Sequence, residues 1–120
     1  MSFREVFPIL YVDDVQRAVD FYVSQFGFGV RFRWPADGDG DLRFAFLELE
    51  PLGIGVGMRH DLSVGDFELC LYTDDMDAAA ASLREAGAEE VMAPQDEPWG
   101  ERRAYFRDPA GHLLQPAMPL

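Results

Sequence analysis

A chain of 120 residues carries nearly the same five residues twice, as LYVDD at residues 10–14 and LYTDD at residues 71–75. Alternating apolar residues precede each aspartate pair, and an alanine-containing run with helical spacing follows it. The alternation predicts a strand and the run predicts a helix. Because a lone unit of half this length is marginally stable, we expect two similar modules that share one compact domain.

The residues around the repeat predict where each helix begins and ends. Asp13 or Asp14, and Asp74 or Asp75, suit the N-cap, because a short carboxylate accepts hydrogen bonds from the free amides of a first helical turn. Glycines stand where the two helices should end, at Gly27 and Gly87. The expected strands are residues 7–12, 29–34, 42–49, 52–58, 67–73, 89–93, 102–107 and 112–115.

Two short segments predict turns that connect neighbouring strands into hairpins. The sequence DGDGD at residues 37–41 and the sequence DPAG at residues 108–111 both favour tight turns between neighbouring strands. Each half therefore reads β-α-β-β-β, which gives an α+β fold with a first module over residues 1–60 and a second over residues 61–120.

Two segments resemble the vicinal oxygen chelate superfamily, FPILYVDDVQRAVDFYVSQFGF at residues 7–28 and EPWGERRAYFRDPAGHLL at residues 97–114. That superfamily includes glyoxalase I, extradiol dioxygenases, fosfomycin-resistance enzymes and bleomycin-resistance proteins. The tail segment is most similar to the bleomycin-resistance binding proteins. The resemblance implies two tandem β-α-β-β-β modules that form a cup-shaped, curled sheet with the helices outside and a small-molecule ligand inside. It also implies a homodimer.

Enzymes of the superfamily hold a divalent metal through His or Glu side chains, because Zn²⁺, Mn²⁺ and Fe²⁺ require imidazole or carboxylate donors. The resemblance places the corresponding positions at Phe7, Glu68, a residue within 52–58, and Gln115. Of these, Glu68 alone is a suitable donor, since residues 52–58 contain neither a carboxylate nor an imidazole. We therefore expect no metal, no cofactor and no catalytic residue.

The resemblance also implies which side chains face the ligand. Phe7, Tyr11, Cys70 and Tyr72 share their strand faces with the metal positions. Trp99, in a Pro-Trp-Gly loop, either stacks on a flat ligand or plugs the end of the module core. The expected ligand-binding residues are Phe7, Tyr11, Trp34, Glu68, Cys70, Tyr72, Trp99 and Gln115.

Other conspicuous residues receive simpler interpretations. Gly53, Gly55 and Gly57 alternate along one strand, which indicates that a ligand, a partner module or a partner subunit approaches the backbone closely. His60 is expected to be solvated in a loop, and His112 should point away from the face that carries Gln115.

The net charge of −12 opposes binding to nucleic acid and to anionic membranes, because like charges repel. It either attracts a cationic small molecule or serves solubility alone. A single cysteine and an N-terminus without the features of a signal peptide favour a cytoplasmic location.

The sequence thus favours a non-catalytic protein that binds or sequesters a small molecule, planar and cationic, such as a DNA-directed antibiotic. One alternative is a metal-dependent, glyoxalase-like lyase or isomerase, or a dioxygenase, which a slip in the assumed strand register would permit. Another is a small-molecule sensor or an accessory protein of biosynthesis.

Overall fold

The computed structural model describes residues 1–36, 41–62, 65 and 67–120. Across these ranges the chain forms eight strands and two helices, and the predicted α+β class with two successive β-α-β-β-β modules is confirmed. The elements are β1 (Phe3–Val12), α1 (Val15–Phe26), β2 (Gly29–Trp34), β3 (Phe44–Leu49), β4 (Leu52–Met58), β5 (Phe67–Thr73), α2 (Met76–Glu85), β6 (Glu89–Glu97), β7 (Glu101–Arg107) and β8 (Leu113–Pro119).

Both helices begin at the second aspartate of the repeat. The Asp14 carboxylate accepts a hydrogen bond of 3.0 Å from the Arg17 amide, and Asp75 accepts one of 3.1 Å from the Ala78 amide. These bonds satisfy amides that a first helical turn leaves free. Helix α1 ends at Gly27, whose φ of 80° lies in the left-handed region that favours glycine.

The second helix ends one residue earlier than the glycine signal predicts. Its C-cap is Ala86, and Gly87 follows with a φ of 88°. The Gly87 amide donates to the Arg84 carbonyl and the Ala88 amide to the Leu83 carbonyl, each at 3.0 Å. Gly87 therefore closes the helix from just beyond its end.

Several strand boundaries differ from the prediction. β1 begins at Phe3 rather than at residue 7, because Ser2 donates to the Asp74 carboxylate and the Asp74 amide donates 3.2 Å to the Ser2 carbonyl. β6 continues to Glu97 through a polar stretch. Ion pairs across the strands hold that stretch against β7, between Arg102 and Asp96 and between Arg103 and Glu97. β3 begins at Phe44 and β8 covers Leu113–Pro119.

The two predicted hairpins differ in how far they are described. β2 and β3 pair antiparallel, but residues 37–40 of the predicted turn lie outside the described residues. Residues 108–111 form the second turn, in which the Gly111 amide donates 2.9 Å to the Asp108 carbonyl. Gly111 has a φ of 94°, so this turn requires glycine at that point.

The chain divides into two compact units. The N-terminal unit is Phe7–Phe67, and the C-terminal unit combines Met1–Val6 with Glu68–Leu120. The first residues of β1 thus belong to the C-terminal unit, while the module boundary between residues 60 and 61 stays a prediction.

In the N-terminal unit the strand order is β2-β3-β4-β1, with β4 and β1 parallel. Val15 and Val19 of α1 pack on Ala45, Leu47 and Val56 of the strands beneath. This apolar layer fixes the helix on one side of the four strands, because burial of these side chains stabilises the packed state.

In the C-terminal unit β5 lies parallel to β8, which is followed in the sheet by β7 and β6. Met76 and Ala80 of α2 pack on Ala104 and Phe106 of β7. Since side chains alternate across a strand, Glu101, Arg103 and Tyr105 lie on the opposite side of β7 from the helix. Within the described residues, neither helix has the length and apolar character needed to cross a membrane.

Candidate functional site

Phenyl rings of the N-terminal unit fill the space above its glycine-rich strand. A Cβ atom added at Gly53 would lie 2.3 Å from the Phe46 ring, and one at Gly55 would lie 2.9 Å from both Phe44 and Ile9. Real Cβ atoms do not approach so closely. The sequence analysis predicts that a ligand, a partner module or a partner subunit approaches the backbone at these glycines. In the structure, the side chains that approach it belong to the same unit.

Phe7 and Tyr11 lie on the side of β1 that meets these rings, and each is 5% exposed. The Phe7 ring contacts Phe46 edge to face, with 4.8 Å between centroids. The Tyr11 hydroxyl lies 2.8 Å from His60 Nε2, and the two rings also meet edge to face.

His60 corrects an expectation, because it is bonded to the protein rather than solvated. The Leu62 amide donates 3.1 Å to His60 Nδ1, so in the neutral ring the proton lies on Nε2. Nε2–H then donates to the Tyr11 hydroxyl. No local sequence signal predicts this pair, whose members lie 49 residues apart along the chain.

Trp34 stands at the end of β2, directly opposite Phe44 of β3. It is half-buried. Phe32, two residues earlier on the same side of the strand, contacts the Phe44 ring at 6.2 Å. Trp34 therefore extends the aromatic surface of the N-terminal unit, and its role in ligand binding stays a prediction.

Glu68 is the central polar residue of the C-terminal unit and is 1% exposed. Its carboxylate accepts a hydrogen bond of 3.2 Å from the Gln115 amide and lies 3.4 Å from the Tyr105 hydroxyl. Burial raises the pKa of Glu68 to about 7, although the Gln115 amide, the charge of Arg103 and the Tyr105 hydroxyl favour the ionised form. The side chain therefore gains or loses its charge near neutral pH.

Arg103 lies between two aromatic rings beside this carboxylate. Its guanidinium carbon is 4.7 Å from the centroid of Trp99 and 5.0 Å from that of Tyr105. Nη2 donates 3.1 Å to Glu97 and Nη1 donates 2.8 Å to the Tyr105 hydroxyl. Stacking and charge pairing thus hold the planar cation at once.

Glu101 holds the two half-exposed aromatic side chains of the unit. One of its oxygens accepts a hydrogen bond of 2.8 Å from Trp99 Nε1, and the other accepts one from the Tyr72 hydroxyl. Burial and the Glu101 carboxylate raise the pKa of Tyr72, so its hydroxyl stays protonated. The Trp99 ring lies against the Arg103 guanidinium, and its role, as a stacking surface for a ligand or as a plug of the module core, stays a prediction.

Two further residues differ in exposure, and the predicted ligand contact of Cys70 stays a prediction. Cys70 is 3% exposed, and burial together with Glu101 and Glu68 raises the pKa of its thiol, so it is a poor nucleophile. His112 is exposed, and its Nδ1 lies 2.9 Å from Asp108, which fixes the turn before β8.

The structure brings five of the predicted site residues together in the C-terminal unit, namely Glu68, Cys70, Tyr72, Trp99 and Gln115. Phe7, Tyr11 and Trp34 lie in the N-terminal unit. Glu101, Arg103 and Tyr105, which are alternate residues of β7, were not among the predicted site residues. The alternation of side chains along a strand is the signal that could have identified them. We call the polar–aromatic face the set Glu68, Tyr72, Glu97, Trp99, Glu101, Arg103, Tyr105 and Gln115.

The residues at the metal positions do not fit a metal. Glu68 and Gln115 bond to each other, Phe7 packs on a phenyl ring, and the glycines of β4 are covered by rings. Within the ranges that the structure describes, no group of three or more His, Cys, Asp and Glu residues is arranged to hold a metal ion. One carboxylate and one amide make an incomplete set of ligands.

A separate cleft of about 230 Å³ lies at the start of α2. Asp75 is already engaged as the helix cap there, and Asp74 is bonded to Ser2. The cleft is lined by Asp74, Asp75, Met76, Asp77, Arg102 and Met118.

Comparison with known proteins identifies a family. A sequence model of the Glyoxalase/Bleomycin resistance protein/Dioxygenase superfamily matches residues 6–115. No curated protein sequence matches the chain.

Solved structures with the same fold have low sequence identity. A superfamily member from Vibrio splendidus 12B01 is 20% identical, with 98% of this chain and 99% of that one covered and a TM-score of 0.71. A protein described as an NAD-dependent benzaldehyde dehydrogenase from Legionella pneumophila is 14% identical, with coverage of 97% and 100% and a TM-score of 0.77. A methylmalonyl-CoA epimerase variant from Streptomyces coelicolor, bound to 2-nitronate-propionyl-CoA, is 21% identical, with coverage of 98% and 99% and a TM-score of 0.73. At these identities the likeness establishes the fold alone.

Proposed function

Because the chain belongs to the Glyoxalase/Bleomycin resistance protein/Dioxygenase superfamily, we propose that it is a non-catalytic protein that binds a small molecule on the polar–aromatic face. The observation that carries this proposal is the buried Glu68 carboxylate, which Gln115 and Tyr105 hold beside an arginine stacked on tryptophan. Burying a carboxylate costs stability, so its presence on a strand face points to a use other than packing.

The chemistry of the face supports a planar, cationic ligand. Trp99 and Tyr72 are half-exposed and offer flat apolar surfaces. Glu101 fixes both side chains, so little freedom is lost when a ligand stacks on them. Glu97 pairs with Arg103, Glu68 feels the charge of Arg103, and Glu101 bonds to the Trp99 ring on which Arg103 stacks. The whole chain carries a charge of −12. Such a site would sequester a cationic drug by mass action.

Recovery of the ligand tests binding against turnover. A panel of planar cations is screened by thermal shift, and the best ligand is dialysed against the protein and analysed by mass spectrometry. We expect about one equivalent per chain, chemically unchanged. Conversion of the ligand, or one equivalent of zinc, manganese or iron in the protein purified from metal-rich medium, would contradict a purely binding role.

One observation favours an enzyme as the second candidate. A carboxylate whose pKa is about 7 is well suited to accept and return a proton at neutral pH. In that case Glu68→Gln would abolish turnover while ligand affinity fell much less. For a binding protein the same variant has no turnover to lose and changes affinity alone.

We further propose that the protein is a cytoplasmic homodimer. Two phenylalanines of α1 are exposed, Phe21 at 53% and Phe26 at 54%, and their ring centroids lie 5.8 Å apart. Exposed aromatic clusters of this kind are typical of interfaces between proteins. Sedimentation at micromolar concentration should give twice the chain mass of 13.5 kDa, whereas a clean monomer would refute the dimer.

A further inference from the structure

The guanidinium of Arg103 stands where a planar cation would bind on the polar–aromatic face. We infer that Arg103 is a resident cation that occupies the site in the free protein and that a planar cationic ligand displaces. Arg103 would then set both the affinity and the charge preference of the face. This inference rests on the proposed function, because it concerns how that ligand enters.

The contacts of Arg103 match those expected of such a ligand. Its planar group lies 4.7 Å from the Trp99 centroid and 5.0 Å from the Tyr105 centroid, and it pairs with Glu97 at 3.1 Å. The Arg103 side chain is 20% exposed and that of Glu97 is 9% exposed, so the charges meet away from bulk water. An aromatic face together with a partly desolvated carboxylate is a binding site for a flat cation.

The anchoring of Arg103 is incomplete, which leaves it replaceable. Its Nε atom is buried and has no hydrogen-bond partner among the described residues. A buried donor without a hydrogen-bond partner costs free energy, which destabilises the conformation in which Arg103 is stacked. A long arginine side chain also loses rotational freedom in this position, whereas a rigid ligand has little to lose.

The surrounding charges require a cation whether or not Arg103 remains. Glu68 on β5, Glu97 on β6 and Glu101 on β7 all lie near the guanidinium or the groups that it contacts, and Glu5 on β1 acts on the neighbouring Cys70. If Arg103 turned outward alone, these carboxylates would lose their counter-charge. A ligand that carries a positive charge restores it, while a neutral ligand of the same shape does not.

The adjacent residue provides a matched control. Arg102 lies on the other side of β7, pairs with Asp96 at 2.9 Å and lines the separate cleft. Arg102→Gln and Arg103→Gln change the net charge of the protein equally. A difference between the two variants therefore reports on the position of the charge rather than on its removal.

The experiment titrates benzamidine, a planar cation, and benzamide, its neutral counterpart of the same shape, into the wild type and both variants. We expect Arg103→Gln to bind benzamidine roughly tenfold more tightly than the wild type, because the ligand no longer competes with the resident cation. Benzamide should gain clearly less than benzamidine, because both probes gain the vacated place on the rings but only the cation pairs with the Glu97 carboxylate. Arg102→Gln should behave like the wild type.

A second measurement uses the wild type, so the test survives if Arg103→Gln does not fold. Saturation with benzamidine should shift the NMR signals of Arg103 Nε–H and Trp99 Nε1–H, while benzamide should leave the arginine signal in place. Tighter binding of both probes to both variants, or benzamidine binding that leaves the Arg103 signal unchanged, overturns the displacement but preserves small-molecule binding. Failure of both probes to bind any of the proteins overturns the proposed function of this face as well.

Discussion

The two units are built from the same order of elements and the same aspartate-capped helix, yet their strand faces have opposite character. The N-terminal unit closes its face with phenyl rings that rest on Gly53 and Gly55. On its strand face the C-terminal unit instead holds a buried carboxylate, an amide and an arginine stacked on tryptophan. The repeat therefore sets the backbone frame, while the residues at alternate strand positions decide whether a face serves packing or binding.

The energetic consequences of the two faces also differ. Rings packed on glycine backbone bury apolar area and stabilise the folded state. A carboxylate that ionises at 1% exposure destabilises it, even with two hydrogen-bonding neighbours. We expect the N-terminal face to respond to changes in shape and the C-terminal face to respond to changes in charge.

The largest expected effect is a dependence of stability on pH that originates at Glu68. Because its pKa rises from 4.5 to about 7, the folded state binds more protons than the unfolded state within that interval. The free energy of unfolding should therefore fall as pH rises from about 4.5 to about 7, by up to about 3 kcal/mol, and this contribution should be constant above that range. Urea denaturation at a series of pH values measures it.

Glu68→Gln is the control, since its amide resembles the protonated acid and does not titrate. The variant should lose the dependence that Glu68 contributes between about pH 4.5 and about pH 7, and it should exceed the wild type in stability at about pH 8. Parallel pH profiles for the two proteins would show that Glu68 is solvated in solution, and the contrast between the two faces would disappear.

The next effect concerns shape in the N-terminal unit. Gly53→Ala places a methyl group 2.3 Å from the Phe46 ring and should lower the free energy of unfolding by about 2 kcal/mol. Gly29→Ala serves as the control, because its methyl group meets only the flexible end of Arg31 at 3.1 Å. Thermal unfolding of both variants gives the comparison.

A double variant identifies the cause of the loss. If the clash is with the Phe46 ring, Gly53→Ala should cost clearly less in a Phe46→Leu background than in the wild type. Equal costs in the two backgrounds would mean that the ring is not the neighbour that excludes a side chain at Gly53.

The smallest effect tests the feature that the units share. Asp14→Ala and Asp75→Ala each remove one hydrogen bond to the first turn of a helix, so each should lower the free energy of unfolding by about 1 kcal/mol. If chemical denaturation shows nearly equal losses of unfolding free energy, the helix caps of the two modules contribute equally to stability. A loss confined to one variant would show that the repeat is equivalent in sequence but not in stability.

Local sequence signals were sufficient to predict most of the fold. Helix caps, glycine stops and alternating strands act over a few residues, and the bounds of β2, β4 and β5 were predicted without error. The predicted end of β6 was wrong because residue 94 is proline and residues 95–97 are polar, and the pairing that makes them a strand involves arginines of β7. Such partners are not visible from the stretch itself.

Half of the polar–aromatic face could be predicted, and the rest depends on contacts between distant strands. The resemblance to the superfamily places Glu68 and Gln115 at the site, but no local signal predicts their mutual bond, which joins residues 47 apart. Arg103 was not predicted, because a charged residue on a strand is most often solvated, and its stacking partner Trp99 lies in the turn before β7 rather than on a strand. Phe44 and Phe46 fall within the predicted strand 42–49, and nothing local couples them to Gly53 and Gly55.

The most direct test of the account compares the two tryptophans as determinants of ligand affinity. Trp99 lies on the polar–aromatic face and Trp34 on the aromatic surface of the N-terminal unit. For the best planar cation from the binding screen, Trp99→Ala should weaken binding by about 1–3 kcal/mol in isothermal titration while Trp34→Ala leaves it nearly unchanged. Full affinity in folded Trp99→Ala, together with a loss in Trp34→Ala, would contradict the account and assign the ligand to the N-terminal unit.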